Sequence, residues 1–224
     1  KNTGLILLDI NGDGLADLVK HNCQFSDLWS CHQNSSTWIK SDVWINNGHG
    51  WVNGTNWILP KGIPFTLDVG KDAYTRIGDV NGDGLPDAVQ MIDQVNIDPG
   101  LKKKQEVWIN NGTGFVNQTN WTFPYNEYFN VVDTQPNNIG LILIDINGDG
   151  LADLVKHNCA FFSLYLCHQN SSLIKSDVWI NNGHGWVNGT NWTLPRGVPF
   201  VLDGLDDAYT RIGDVNGDGL PDAV

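Results

Sequence analysis

The chain has 224 residues, among them 25 glycines, 10 tryptophans and one methionine, and a formal net charge of −12. Such acidity repels nucleic acid and anionic membrane surfaces, and no apolar run nears the roughly 20 residues of a membrane helix, GLILLDI being cut by Asp9 and LILIDI by Asp145. Glutamate occurs only at Glu106 and Glu127 while Asn, Asp and Gly abound, so helix formers are scarce, turn formers are plentiful, and the expected fold class is all-β.

Taken in chain order, LILLDI reads as a strand, NGDG as a turn and ADLVKH as the returning strand. SDVWINNG and WVNGTNW follow as a second hairpin around a GHG turn. Four short strands in a unit of this size are the content of one propeller blade.

The string DINGDGLAD at Asp9–Asp17 recurs as DVNGDGLPD at Asp79–Asp87, DINGDGLAD at Asp145–Asp153 and DVNGDGLPD at Asp214–Asp222, with starts 70, 66 and 69 residues apart. A period of this kind marks one supersecondary unit per repeat, each needing its neighbours to cover an apolar face. The expected units are residues 1–78 with a first Asp loop and a cysteine pair, 79–144 without cysteine, 145–213 duplicating the first, and 214–224 opening a fourth. Above this lies a longer duplication, since residues 2–89 reappear as 138–224 with roughly four positions in five identical. The expectation is tandem four-stranded antiparallel blades, β-propeller-like, either open or part of a larger propeller or array, because closed propellers take about four to eight blades. The sequence starts at Lys1 without an initiator Met, and the repeat phase suggests a window cut from something longer.

Each Asp loop carries a constellation suited to a hard cation. In the first, Asp9, Asn11, Asp13 and Asp17 offer side-chain oxygens at loop positions one, three, five and nine, with the Leu15 carbonyl at seven. The equivalents are Asp79, Asn81, Asp83, Leu85 and Asp87; Asp145, Asn147, Asp149, Leu151 and Asp153; and Asp214, Asn216, Asp218, Leu220 and Asp222. Gly12 and Gly14 allow the sharp wrap, and the expected cofactor is Ca²⁺, about four ions, one per loop. An EF-hand is excluded, because its bidentate Glu at position twelve is replaced by Lys20, Gln90 and Lys156. The four loops hold twelve of the 25 acidic residues, so four dications would move −12 to −4, and the acidity reads as ligand charge. The alternative, an Asx-rich turn that binds nothing, leaves the Asp at position nine without a role.

The DVNGDGLPD loop preceded by YTRIG resembles the FG-GAP/VCBS calcium repeat of integrin-α-like β-propellers, and DVWINNGHGW resembles VCBS-type repeats. The resemblance implies a Ca²⁺ loop between the first two strands of each blade, held by the residues named above. After the loop, LVKHN and AVQMI depart from the integrin pattern, so the resemblance does not extend to integrin-type ligand binding.

All cysteines fall in the duplicated unit, as Cys23 with Cys31 and Cys159 with Cys167, seven residues between each pair. One local disulfide per copy is the simplest pairing; the alternative is a Cys₂His₂ zinc set of His21, Cys23, Cys31 and His32, repeated at His157, Cys159, Cys167 and His168. Sequons occur at Asn34, Asn53, Asn111, Asn117, Asn120, Asn170, Asn188 and Asn191, which points to N-linked glycans and a secretory route, against the alternative of an Asn-rich turn array with no glycans. Of these, Asn34, Asn53, Asn170 and Asn188 are the strongest candidates. Aromatics recur at fixed places (Trp44, Trp108, Trp179; Trp51, Phe115, Trp186; Trp57, Trp121, Trp192), where packing between blades is the expected role and sugar stacking the alternative.

No nucleophile with its base stands apart from these loops and turns, so the expected function is non-enzymatic. The first reading is an extracellular or cell-surface structural coat or filament whose partners are neighbouring repeats or copies of itself. The second is a carbohydrate- or protein-binding module of lectin or adhesion type. Neither calls for nucleic acid or membrane insertion.

Overall fold

The structure is a computed structural model and describes residues 4–33, 35–93, 103–131, 141–159, 164–200, 208 and 210–224. Each Asp loop joins two antiparallel strands. β1 (Leu5–Leu8) pairs with β2 (Asp17–Cys23), Leu8 standing opposite Asp17, so the loop spans the end of the ladder. β2 alternates strictly, burying Asp17, Val19, His21 and Cys23 on one face, as a half-buried strand of period two must. β3 (Ile39–Asn46) adds to β2 with Val19 opposite Val43, and β4 (Trp51–Asn53) adds to β3. The result is a four-stranded antiparallel sheet in the order β1-β2-β3-β4.

The pattern repeats. β5 (Thr75–Gly78), β6 (Asp87–Asp93), β7 (Lys104–Asn110) and β8 (Phe115–Gln118) form the second sheet, with β9 (Asn130–Val131) pairing in parallel to the end of β6. β10 (Leu141–Ile144), β11 (Asp153–Cys159), β12 (Ile174–Asn181) and β13 (Trp186–Asn188) form the third, and β14 (Ile212–Gly213) pairs with β15 (Asp222–Ala223). The all-β class of tandem four-stranded antiparallel sheets is therefore what the chain adopts.

Three short helices were not foreseen. α1 (Leu28–Gln33) and α2 (Ser35–Trp38) fill the connection between β2 and β3, and α3 (Leu164–Gln169) the corresponding one between β11 and β12. Asp27 starts α1 by accepting from the Ser30 amide at 2.8 Å, a helix N-cap bond.

The chain divides into two units, Lys1–Gln90 with Lys104–Thr119, and Met91–Lys103 with Asn120–Val224. In the first, Ile10, Val19, Val43, Leu59, Ile63, Phe65, Ala88 and Phe115 form one buried cluster, with Trp57 and Trp108 packed against it. In the second, Trp186 lies against Trp121 and Phe123, with ring centroids 5.8 and 5.6 Å away. The recurring aromatics at Trp57, Trp108, Phe115, Trp121 and Trp186 are thus core residues. Trp51 stays half exposed and so does Trp192.

Candidate cation site

In every loop the first Asp organises the wrap. Asp9 Oδ1 accepts from the amides of Gly12 (2.9 Å) and Asp13 (3.1 Å), and Oδ2 accepts from the amide of Gly14 (2.8 Å). Gly12 and Gly14 have φ of 76° and 85°, a region L-residues with a Cβ seldom visit, so the turn needs glycine at both places. Asp79, Asp145 and Asp214 accept in the same way from Gly82 and Gly84, Gly148 and Gly150, and Gly217 and Gly219. These amides hold the exposed Asp214 carboxyl below the usual carboxylate range. The third ligand candidate is tied locally too: Asp13 Oδ1 accepts from the Leu15 amide at 2.9 Å and Oδ2 from Asn11 Nδ2 at 3.0 Å.

The last Asp has a role that local sequence did not reveal. Asp17 is buried, and its Oδ2 accepts from the Ile10 amide at 3.1 Å while Oδ1 accepts from the Asn46 amide at 2.7 Å, 29 positions away. Asp87 brackets Val80 and Asn110 likewise, at 2.9 and 2.8 Å, and Asp153 brackets Ile146 and Asn181, at 3.1 and 2.7 Å. In these three loops the Asp at position nine therefore staples the loop to the third strand of its sheet. Asn46, Asn110 and Asn181 are the partners that sequence reasoning missed; their one legible signal was a fixed place in WINNG.

Burial sets the electrostatics. It pushes Asp87 up to about 7 and Asp153 up to about 6, and the neighbouring carboxylates of each loop, Asp83 with Asp79 and Asp149 with Asp145, push the same way against the bracket amides. Asp17 is raised for the same reasons. A site that resists a further negative charge this strongly favours a cation. Among the described residues, no group of three or more His, Cys, Asp or Glu side chains converges closely enough to hold a metal ion as the loops stand. The donor chemistry still fits a hard cation: each loop offers three carboxylates and an amide oxygen, and a carboxylate oxygen that accepts one amide keeps a second lone pair. The leucines expected to offer their carbonyls also pack through their side chains: Leu85 leans over Gly12 and Leu220 over Gly148, where an added Cβ would lie 2.7 Å from the leucine in each case.

The zinc alternative is overturned. Cys23 is bonded to Cys31 and Cys159 to Cys167, with Cα atoms 5.9 and 6.0 Å apart, as the simplest pairing expected. His21 and His157 are occupied by protein partners: their Nδ1 atoms meet the hydroxyls of Ser41 and Ser176, both at 2.7 Å, and their Nε2 atoms the carbonyls of Pro60 and Pro195, at 2.8 and 2.9 Å. Of the sequon asparagines, Asn53, Asn111, Asn120, Asn170, Asn188 and Asn191 are exposed and Asn117 is partly so, while Asn34 lies outside the described residues.

No family model matches the chain. It is 26% identical over 256 aligned positions to a T-cell immunomodulatory protein homolog of Plasmodium yoelii yoelii, covering 98% of this chain and 33% of that protein, so it spans about a third of the relative's length. Among solved structures, the Photorhabdus luminescens Tc holotoxin pore superposes with a TM-score of 0.51 and 18% identity over all of this chain and 8% of the toxin chain. An Agrocybe aegerita lectin that recognises non-reducing terminal N-acetylglucosamine gives 0.48 and 19% over 98% of this chain and 45% of the lectin. The toxin likeness speaks to the fold alone, and the lectin overlaps too loosely to bear on it.

Proposed function

We propose that the chain is a non-enzymatic, extracellular, calcium-stabilised and glycosylated repeat protein of FG-GAP/VCBS type, whose blades build a surface coat or filament. The observation that carries this reading is the fourfold Asp loop, in three copies of which the last carboxylate is buried and raised by that burial, its two neighbouring carboxylates pushing the same way. In the first loop Asp9, Asn11, Asp13, Asp17 and the Leu15 carbonyl would hold the ion, and their equivalents would do so in the others. Bound Ca²⁺ supplies charge compensation, and the chain's own bracket bonds then fix the loop to its sheet. Two disulfides suit an oxidising compartment, and no helix among the described residues is long and apolar enough to cross a membrane. Near-identical duplication favours interchangeable structural modules over one distinctive binding site. Metal analysis of purified protein tests the reading: about four calcium ions per chain support it, and none, with stability unchanged in chelator, overturns it. Electron microscopy of native material separates filament or coat from isolated particles, and intact mass reads the glycans.

A second reading, a carbohydrate-binding module, is favoured by a repeated polar pocket. Asp42, Asn53 and Trp57 line one of about 260 Å³, and Asp177, Asn188 and Trp192 line its counterpart of about 300 Å³. Amide and carboxylate groups beside an indole are what a sugar ring requires. A glycan attached to Asn53 or Asn188 would fill the same space, so glycan-array binding by protein lacking N-glycans discriminates the two readings.

A further inference from the structure

The repeats differ at two positions that change together. On the second strand, Lys20 and Lys156 of the first and third repeats stand where the second has Gln90. On the segment leaving the fourth strand, Ile63 and Val198 stand where the second repeat has Glu127. Along the chain, the repeat with Ile63 is therefore followed by the one with Gln90, and the repeat with Glu127 by the one with Lys156.

The structure joins the second of these pairs. Glu127 is tied to its own repeat, because Phe129, two residues on, donates its amide to the Met91 carbonyl at 2.8 Å and β9 pairs with the end of β6. Its carboxylate faces the third repeat, where both oxygens accept from Lys156 Nζ on β11, at 3.3 and 3.0 Å. The two side chains are only 15% and 6% exposed, and Tyr128 and Phe129 beside Glu127 are buried. Burial raises Glu127 above its usual range, the Lys156 ammonium draws it back down, and Asp177, the cross-strand partner of Lys156, adds to the rise. An ammonium desolvated to this degree is unfavourable unless a carboxylate answers it.

The first and second repeats carry a neutral pair at the same two places. Ile63 and Gln90 are both fully buried, and the Gln90 amide donates to the Ala73 carbonyl at 3.1 Å and the Thr75 hydroxyl at 3.3 Å. Mixing the two kinds spoils either one. An isoleucine or valine opposite Lys156 would leave a buried ammonium unanswered, and a glutamine opposite Glu127 would leave a part-buried carboxylate without its cation.

We propose that the Glu127–Lys156 pair is an address, by which the surface of the third repeat around Lys156 accepts a neighbour presenting a carboxylate there and rejects one presenting the Ile63 or Val198 side chain. The two kinds of repeat are thereby held in alternation. A buried ion pair adds little net stability over an apolar contact, and fixing which surfaces meet is its best-attested use. The inference goes beyond the cation and coat readings and depends on neither.

Hydrogen exchange of the whole chain, read at the Phe129 amide, tests it in the wild type, Glu127→Ile, Lys156→Gln and the double variant. Each single change is expected to lower the protection of that amide about tenfold or more. The double variant, which installs the Ile63 and Gln90 chemistry, is expected to return it to within about threefold of the wild type. Single variants that fail to fold by circular dichroism beside a double variant that folds give the same support. Single variants within about threefold of the wild type, losses that simply multiply in the double variant, or a double variant that does not fold overturn the proposal.

Discussion

Gly185 lies so close to the main chain of Thr122 that no side chain fits between them: a Cβ there would stand 2.5 Å from the Thr122 carbonyl oxygen and 2.7 Å from its nitrogen. Its φ of 153° also lies where residues other than glycine are strained. Gly185→Ala is therefore expected to cost about 3 kcal/mol or more. At the equivalent Gly50 an added Cβ would meet nothing within 4 Å, so Gly50→Ala should cost less than about 1 kcal/mol. Urea denaturation of both variants measures the difference, and equal costs would refute the assignment of this contact.

The bracket role of the last loop aspartate separates from its proposed ligand role once calcium is removed. In excess EGTA, Asp87→Ala leaves the amides of Val80 and Asn110 without their acceptor in a buried place, an expected loss of about 2–4 kcal/mol. Asp83→Ala removes an exposed acceptor of the Leu85 amide and should cost less than about 1 kcal/mol under the same conditions. With calcium present, both should weaken the second loop's ion while leaving the other three sites largely intact, since each loop contains its own ligands. Thermal melts with and without EGTA supply the four numbers.

Chelation should lower the melting temperature of the wild-type chain. A ligand at 100 times its dissociation constant stabilises the folded state by about 2.7 kcal/mol per site, and four loops would contribute together. A melting curve indifferent to EGTA would remove calcium from the account.

His21 should govern part of the acid sensitivity. Burial lowers it from 6.5 to about 4, with the Pro60 carbonyl pulling weakly the other way, so the folded chain holds it neutral. A folded value below the unfolded one means the unfolded state binds the extra proton between those limits. Stability is then fully present above pH 6.5 and falls as pH drops towards 4, by on the order of 3 kcal/mol. Burial lowers His157 as well, so it adds in the same direction. Denaturation of His21→Gln against pH, in saturating calcium, should show a flatter slope across that window, and an unchanged slope would assign the effect elsewhere.

Reduction of the two disulfides should destabilise the chain by about 2–3 kcal/mol each, the chain-entropy value for so short a loop. Peptide mapping without reduction should find Cys23 linked to Cys31 and Cys159 to Cys167. Cross-linking between the copies would contradict the structure.

What the sequence determined by itself is what depends on near neighbours. The repeat period, the hairpin around each NGDG turn, the glycines that take positive φ at 12 and 14, and the cysteine pairs with seven residues between them all follow from short-range geometry. The helices between β2 and β3 and between β11 and β12 escaped that reading, since tertiary context, with Cys31 and Cys167 buried, overrides weak helix propensity in short segments. Only the tertiary structure decided what the loop aspartates and the recurring aromatics do. Asp17 meets Asn46 across 29 positions and Asn110 Nδ2 meets the Ile10 carbonyl across 100, distances along the chain at which residue spacing no longer constrains direction. The same holds for Phe115 and Trp186: they occupy one place in the repeat, and each is buried against the preceding repeat, Phe115 in the cluster with Trp57 and Leu59 and Trp186 on Trp121 and Phe123, partners more than 55 positions away that residue spacing does not point to.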